Sequence, residues 1–270
     1  MHIKLSKLTV KLCKAAIVLS STVILSAQAN ADRVTGKTHA SRSEVIAANG
    51  MVATSQPLAT QIGLQVLKDG GNAIDAAIAA NAALGLMEPT GSGIGGDLFA
   101  IIWHAKSQKL YGLNASGRSP KSLTPEKLKA QLTQLERDDI PPYGMLPISV
   151  PGTVDGWFEM HDKFGKMPMN DVLKPAISYA NNGFPVSELI AYYWQRSVPK
   201  LSLQPGSFKT TFTIDGNAPR KGQIFKNPEL ANTLSLIAEQ GRSAFYQGEI
   251  ADKIASFMKA NGGYISREDL

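Results

Sequence analysis

After Pro57, apolar side chains recur at Leu58, Ile62, Val66 and Leu67, the spacing of one helix face. Lys68-Asp69-Gly70-Gly71 closes that helix with glycine suited to a left-handed stop. Asn72 is placed to cap a second helix from Ala73 to about Leu86 (AIDAAIAANAALGL). That segment has seven alanines and almost no charge, so it is expected to pack closely and to be buried on most sides. Glu88-Pro89 stops it. Residues 98–103 (LFAIIW) read as a buried strand and 109–113 (KLYGL) as its hairpin partner, with the turn at 104–108. Upstream, 45–55 (VIAANGMVATS) reads as a strand interrupted by the turn pair Asn49-Gly50.

Later segments turn helical. A short helix is predicted near Pro125, and an amphipathic one carrying Trp157, Met160 and Phe164 after the glycine-proline junction of ISVPGTVDG (148–156). Further helices are expected over 170–182, 186–196, 227–240 and 248–261; Asn227-Pro228 supplies a cap followed by proline in the first turn. Ser266-Arg267-Glu268-Asp269 has the form of a helix start with one residue after it, so the chain is expected to be truncated at its C-terminus. Strands alternating with helices early and helices dominating late make the class mixed α and β.

The N-terminus breaks this pattern. Lys4, Lys7, Lys11 and Lys14 precede an apolar run, 15–25, and Ala27-Gln28-Ala29 and Ala29-Asn30-Ala31 offer small-x-small cleavage sites. Residues 1–31 therefore read as a secretory signal peptide, since the run is too short to span a bilayer. Residues 32–44 read as a mobile polar arm, and the protein as periplasmic or secreted, with no membrane association after signal removal. The formal charge of +6 falls to +2 without the leader, which removes most of the electrostatic case for nucleic acid. The single cysteine, Cys13, leaves with the leader, so neither a disulfide nor a thiol nucleophile is expected.

TGSGIGGD (90–97) places four glycines in eight positions and fits G-x-G-x-x-G. The dinucleotide fingerprint needs a strand before it and a helix after it; the predicted order is the reverse. Ser92 does not lie in G-x-S-x-G, so a nucleophile elbow is not indicated. His2, His39, His104 and His161 show no metal spacing, and the last two read as surface residues, one in a turn and one on a helix. Arg118 stands in NASGRSP (114–120) after the hairpin. It reads either as an ordinary surface arginine or as a bidentate carboxylate clamp held between Gly117 and Ser119-Pro120. Asn114-Ala115-Ser116 also spells a glycosylation sequon.

GMVATSQPLAT, DGGNAIDAAIAANAALGLMEPTGSGIGGDLF and NASGRSP, followed by SVPGTVDGW (149–157), KNPELANTL (226–234) and FYQGEIADKI (245–254), closely resemble the gamma-glutamyltransferase (glutathione hydrolase) family. The resemblance runs from about residue 45 to residue 270 and is confined to the family's large-subunit part. It implies an α+β fold, the αββα sandwich of N-terminal-nucleophile hydrolases, incomplete here. It also implies a precursor that cuts itself, so that a threonine heading the small subunit becomes the nucleophile, with its own amine as base. No cofactor or metal is implied. The implied partners are a small-molecule substrate (glutathione or another γ-glutamyl amide), an amino-acid or peptide acceptor, and the small subunit of the same precursor.

Two departures from the family pattern stand out. The nucleophilic threonine is expected beyond residue 270, because Thr210-Thr211 leads into Phe212 rather than into a Thr-Thr-His context. The family's substrate arginine typically stands four residues before the proline; here that position is Ser116 and the arginine is Arg118. The resemblance thus implies substrate binding by Arg118, catalytic residues outside this chain, and a fragment that is inactive alone. The alternatives are an N-terminal-nucleophile amidase with another acyl preference, or a non-catalytic exported fragment.

Overall fold

The computed structural model describes residues 45–270, and Ala48–Leu270 forms one compact unit. The expected signal peptide (1–31), the arm (32–44), Cys13, His2 and His39 lie outside the described residues.

Two helices open the unit. Helix α1 spans Pro57–Lys68 and α2 spans Ala73–Met87. Gln56 caps α1 through its side chain, and the turn after it uses Gly70 at φ 95°. Asn72 caps α2 in a full capping box: its Oδ1 accepts from Ile74 and Asp75 N–H, and its own N–H donates to the Asp75 carboxylate. The alanines of α2 let neighbours approach closely, and α2 is buried along Ile78, Ala79, Ala82, Ala83, Leu86 and Met87, as its composition predicts.

Strands β1 (Leu98–His104) and β2 (Lys109–Ala115) pair antiparallel from Leu98↔Ala115 to His104↔Lys109. Helices α3 (Pro125–Gln134), α4 (Thr153–Phe164) and α5 (Met169–Asn182) follow. Strand β3 (Phe184–Pro185), α6 (Glu188–Leu201), the single turn α7 (Phe208–Thr211) and β4 (Ile224–Phe225) come next, and β3 pairs with β4. The chain then runs through α8 (Pro228–Gln240), α9 (Arg242–Tyr246) and α10 (Glu249–Ala260).

The core lies where α2 meets α1 and α5, and α5 meets α8. Trp157, Val172, Leu173, Ala176, Leu234 and Ile237 fill it, each large side chain contributing roughly 1.5–3 kcal/mol by leaving water. Phe184, Trp194 and Phe225 stack edge-to-face beside the short β3–β4 pair.

Three expectations are corrected. Residues 45–55 form no strand: among the described residues no strand pairs with them, and Val52 instead packs on α1 beside Gly63. Residues 98–103 do form a strand, but not a buried one. Its inward row, Leu98, Ala100 and Ile102, packs toward α4, whereas Phe99, Ile101 and Trp103 are 68%, 83% and 61% exposed. A strand in a two-stranded sheet has only one face covered by helices, and an unbroken apolar run cannot reveal that. Finally, 266–269 holds the predicted capping contact, with Ser266 N–H and hydroxyl both donating to Asp269 Oδ2 at 2.8 Å, but Arg267, Glu268 and Asp269 form a turn there and not a helix.

Candidate functional site

Three segments far apart in sequence meet at the mouth of the hairpin. The glycine-rich loop 90–97 joins α2 to β1, so a helix precedes it and a strand follows, the order that argues against a dinucleotide fingerprint. Gly91 and Ser92 N–H close it onto Glu88 O, and Gly96 N–H onto Gly93 O. The 149–156 segment then docks on it. Gly152 and Thr153 N–H both donate to Gly96 O, at 2.9 and 3.0 Å, and the Thr153 hydroxyl donates to Asp97 O at 3.0 Å.

The loop after β2 is the third segment. Val150 N–H donates to Arg118 O at 2.9 Å, and Ser116 N–H to Asn114 Oδ1 at 3.0 Å. The approach is too close for side chains. A Cβ on Gly117 would overlap the Val150 carbonyl oxygen, one on Gly152 would overlap the Ala115 carbonyl oxygen, and Gly117 has φ 70° besides. The glycines in NASGRSP and SVPGTVDG are thus what lets these backbones cross.

Tyr246 anchors the start of α4 from behind: its hydroxyl donates to Pro151 O and accepts from Asp155 N–H. Burial pushes that hydroxyl up to about 12, so it stays protonated and able to donate at any physiological pH. Asp155 pairs with Arg242 on the same side.

A cleft of about 600 Å³ opens over the loop. Its walls are the loop itself with Asn81 and Gly85 of α2, Thr153 of α4, and Phe212, Asn227 and Leu230 from the far side. Asn81 is fixed by the Trp157 indole N–H at 2.8 Å, and Asn227 by its cap to Leu230 N–H. No histidine is among its lining residues, and among the described residues no cluster of three His, Cys, Asp or Glu could hold a metal. The lining offers backbone amides, hydroxyls, carboxamides and one carboxylate, groups that can hydrogen-bond and orient a polar ligand.

Arg118, the predicted carboxylate clamp, is exposed on the same crossing of loops but does not line this cleft. Its backbone carbonyl accepts from Val150 N–H of the segment that docks on the glycine loop. Sequence reasoning missed Asn81, Phe212, Asn227 and Leu230 as site residues; they face the cleft through the packing of the helices, and the one local signal among them, the Asn227 cap, marks a helix start and not a site. The histidines also differ from expectation. His161 is half-buried, with Nε2 donating to Met167 O at 2.6 Å and lying 4.0 Å from the buried Asp75 carboxylate. His104 ends β1 rather than sitting in the turn; its Nδ1 bonds Ser107 Oγ and its ring leans on Phe164. Both are tied into the fold.

This arrangement of a helical core, an apolar hairpin and a glycine-built loop belongs to the N-terminal-nucleophile hydrolase class, with an α+β fold. The sequence profile described as Gamma-glutamyltranspeptidase matches residues 59–270, and the chain belongs to that family. It is 39% identical to the glutathione hydrolase-like YwrD proenzyme of Bacillus subtilis (strain 168), over 83% of this chain and 42% of that protein. Among solved structures it superposes on cephalosporin acylase from Bacillus halodurans with a TM-score of 0.78 at 43% identity, covering 88% of this chain and 45% of that one. Helicobacter pylori gamma-glutamyltranspeptidase gives the same TM-score at 33% identity, over 84% of this chain and 64% of that one. The chain thus spans less than half the length of the curated relatives it matches.

Proposed function

We propose that this chain is the large-subunit portion of an enzyme that hydrolyses or transfers the γ-glutamyl group of glutathione and related amides. The observation that carries this reading is the convergence of the family blocks at 90–97, 114–120 and 149–156 on one backbone crossing, beside a cleft walled by the first block and by Thr153 of the third. In this reading the chain shapes the acyl site and the nucleophile is a threonine encoded beyond residue 270. Its hydroxyl attacks the γ-glutamyl carbonyl while its own α-amine takes the proton; the protonated α-amine returns it to the substrate nitrogen, which leaves as an amine as the C–N bond breaks, and the ester passes its acyl group to water or to an amino-acid or peptide amine. Backbone N–H groups hold the developing oxyanion. Arg118 holds the substrate carboxylate, and the small subunit of the same precursor covers the outward face of the hairpin. No cofactor takes part in these steps.

The proposal also includes export. Residues 1–31 act as the signal and place the product in the periplasm or outside the cell. Among the described residues no helix is long and apolar enough to cross a membrane. N-terminal sequencing of the exported product should begin at Asp32; a product retaining the lysine-rich start would remove the signal from the reading.

One observation favours a second reading, an amidase of the same type with another acyl preference. Arg118 stands two residues away from the family's arginine position, and the chain is 43% identical to a cephalosporin acylase. The test uses a precursor extended to include the downstream threonine, assayed on a chromogenic γ-glutamyl anilide and on a glutaryl amide. Cleavage of the anilide supports the first reading, and cleavage of the glutaryl compound alone supports the second. Arg118→Ala should raise KM on the preferred substrate about 10- to 150-fold, the loss of one charge-assisted hydrogen bond. An unchanged KM removes Arg118 from the site.

A further inference from the structure

We infer that Tyr246 is a positioning residue of the site: its phenol oxygen, supplied from 91 residues away, takes the place of the capping side chain that α4 cannot carry. The inference deepens the proposed function and rests on it. The first four N–H groups of a helix have no partner within it, and a Ser, Thr, Asp or Asn side chain at the N-cap ordinarily accepts from the N–H two or three residues on. The N-cap of α4 is Gly152, with no side-chain cap, and Gly156 N–H to Gly152 O is the bond that opens the helix. No capping side chain fits there, because a Cβ on Gly152 would overlap the Ala115 carbonyl oxygen. The crossing of backbones that builds the site thus denies an ordinary cap to the helix that borders it.

The helix start is satisfied from outside instead. Gly152 and Thr153 N–H go to Gly96 O. Asp155 N–H, three residues past the N-cap, donates to the Tyr246 hydroxyl at 3.0 Å. The same hydroxyl donates to Pro151 O at 2.8 Å, so one oxygen grips the chain on both sides of Gly152-Thr153. Those two residues hold the glycine loop, and Thr153 itself lines the cleft. Tyr246 is fixed in turn. It is 3% exposed, Arg242 lies over its ring at 4.6 Å while pairing with Asp155, and Arg267 donates to Tyr246 O and Gln247 O at the end of α9. Tyr246 is not among the residues lining the cleft, so it acts on a bound substrate through the 151–155 backbone. Its hydroxyl stays protonated through the physiological range, so it keeps both bonds and takes no part in proton transfer.

Tyr246→Phe removes one oxygen and keeps the ring. In the precursor extended to the downstream threonine, with rates referred to the self-cleaved enzyme, kcat on the preferred substrate should fall roughly tenfold or more while KM stays within about threefold, because attack depends on alignment more steeply than binding does. The pH–rate profile should keep its wild-type shape, which a phenol acting as acid or base would not allow. Tyr179→Phe, a half-buried phenol of α5 outside the cleft lining, should match wild type throughout. Hydrogen exchange on the 270-residue chain tests the cap without substrate: the Gly152, Thr153 and Asp155 amides should exchange roughly tenfold faster in Tyr246→Phe, while Ile237 keeps its rate. Should Tyr246→Phe fail to fold, Arg267→Gln keeps the phenol and loosens its support, and should shift kcat and the same exchange rates in the same direction by a smaller factor. An active wild type whose Tyr246→Phe form keeps its kcat, changes the shape of its pH profile, or exchanges at 152–155 as wild type does overturns the inference and leaves the proposed function standing. An extended wild type that cleaves neither the anilide nor the glutaryl amide removes the proposed function and this positioning role with it.

Discussion

Single residues decide whether the loops of the site can cross at all. Gly117 carries two constraints, a left-handed backbone at φ 70° and a carbonyl oxygen of Val150 where its Cβ would be. Gly222 carries only the first: its φ is 77° and nothing lies within 4 Å of a built Cβ. Comparing the two separates strain from collision. Gly222→Ala should cost about 1 kcal/mol from the backbone conformation alone. Gly117→Ala should cost about 3 kcal/mol, because the 149–151 segment must also be pushed off the loop. Urea denaturation at one fixed protein concentration reads both values. Equal losses would mean that the crossing yields freely and does not hold the site. Asp75 works at the same scale and by the opposite means. Its carboxylate is fully buried, yet it is satisfied by the N–H groups of Asn72, Lys166 and Met167, and so ties the start of α2 to the turn before α5.

At the scale of elements, what the sequence reveals depends on whether the information is local. Asn72, Asn227-Pro228 and Gly70 set helix limits through contacts within a few residues, and each does in the structure what its position predicts. Strand burial is not local. LFAIIW carries apolar side chains on both faces, and only the count of neighbouring layers decides which face is covered; here α4 covers one. The segment at 45–55 fails for a related reason, since a strand needs a partner and composition cannot supply one. The candidate site divides along the same line. Its glycine loop and the two blocks that dock on it are legible as motifs, because close backbone approach requires glycine at fixed places. Asn81, Phe212 and Leu230 are brought in by helix packing across the whole chain, and nothing beside them in sequence marks them.

At the scale of the whole molecule, the C-terminal end of the compact unit is tied to the loop after β2. Asp269 accepts from Lys121 N–H at 2.8 Å across 148 residues, the Lys121 ammonium donates to Glu268 O, and the Ser122 hydroxyl donates to Tyr264 O. Lys121 lies three residues after Arg118, so this clamp holds the far end of the loop that Val150 holds at its middle. Burial pushes the Asp269 carboxyl up, but the N–H groups of Lys121 and Ser266, the Ser266 hydroxyl and the Lys121 charge outweigh burial and leave it below its ordinary 3.8. A carboxyl lowered by folding contributes stability above its unfolded value and loses it as pH falls through the folded one. The difference in unfolding free energy between wild type and Asp269→Asn should therefore be constant well above 3.8 and shrink as pH falls below it through the lower folded value. A difference that persists undiminished into acid would assign the effect of the substitution to lost packing rather than to charge. If it shrinks as described, acid should also open the 118–121 loop before the helical core, because that core is held by apolar burial and by caps that do not involve Asp269. Hydrogen exchange at Val150 and Lys121, compared with Ile237 deep in α8, would show the loop amides losing protection first.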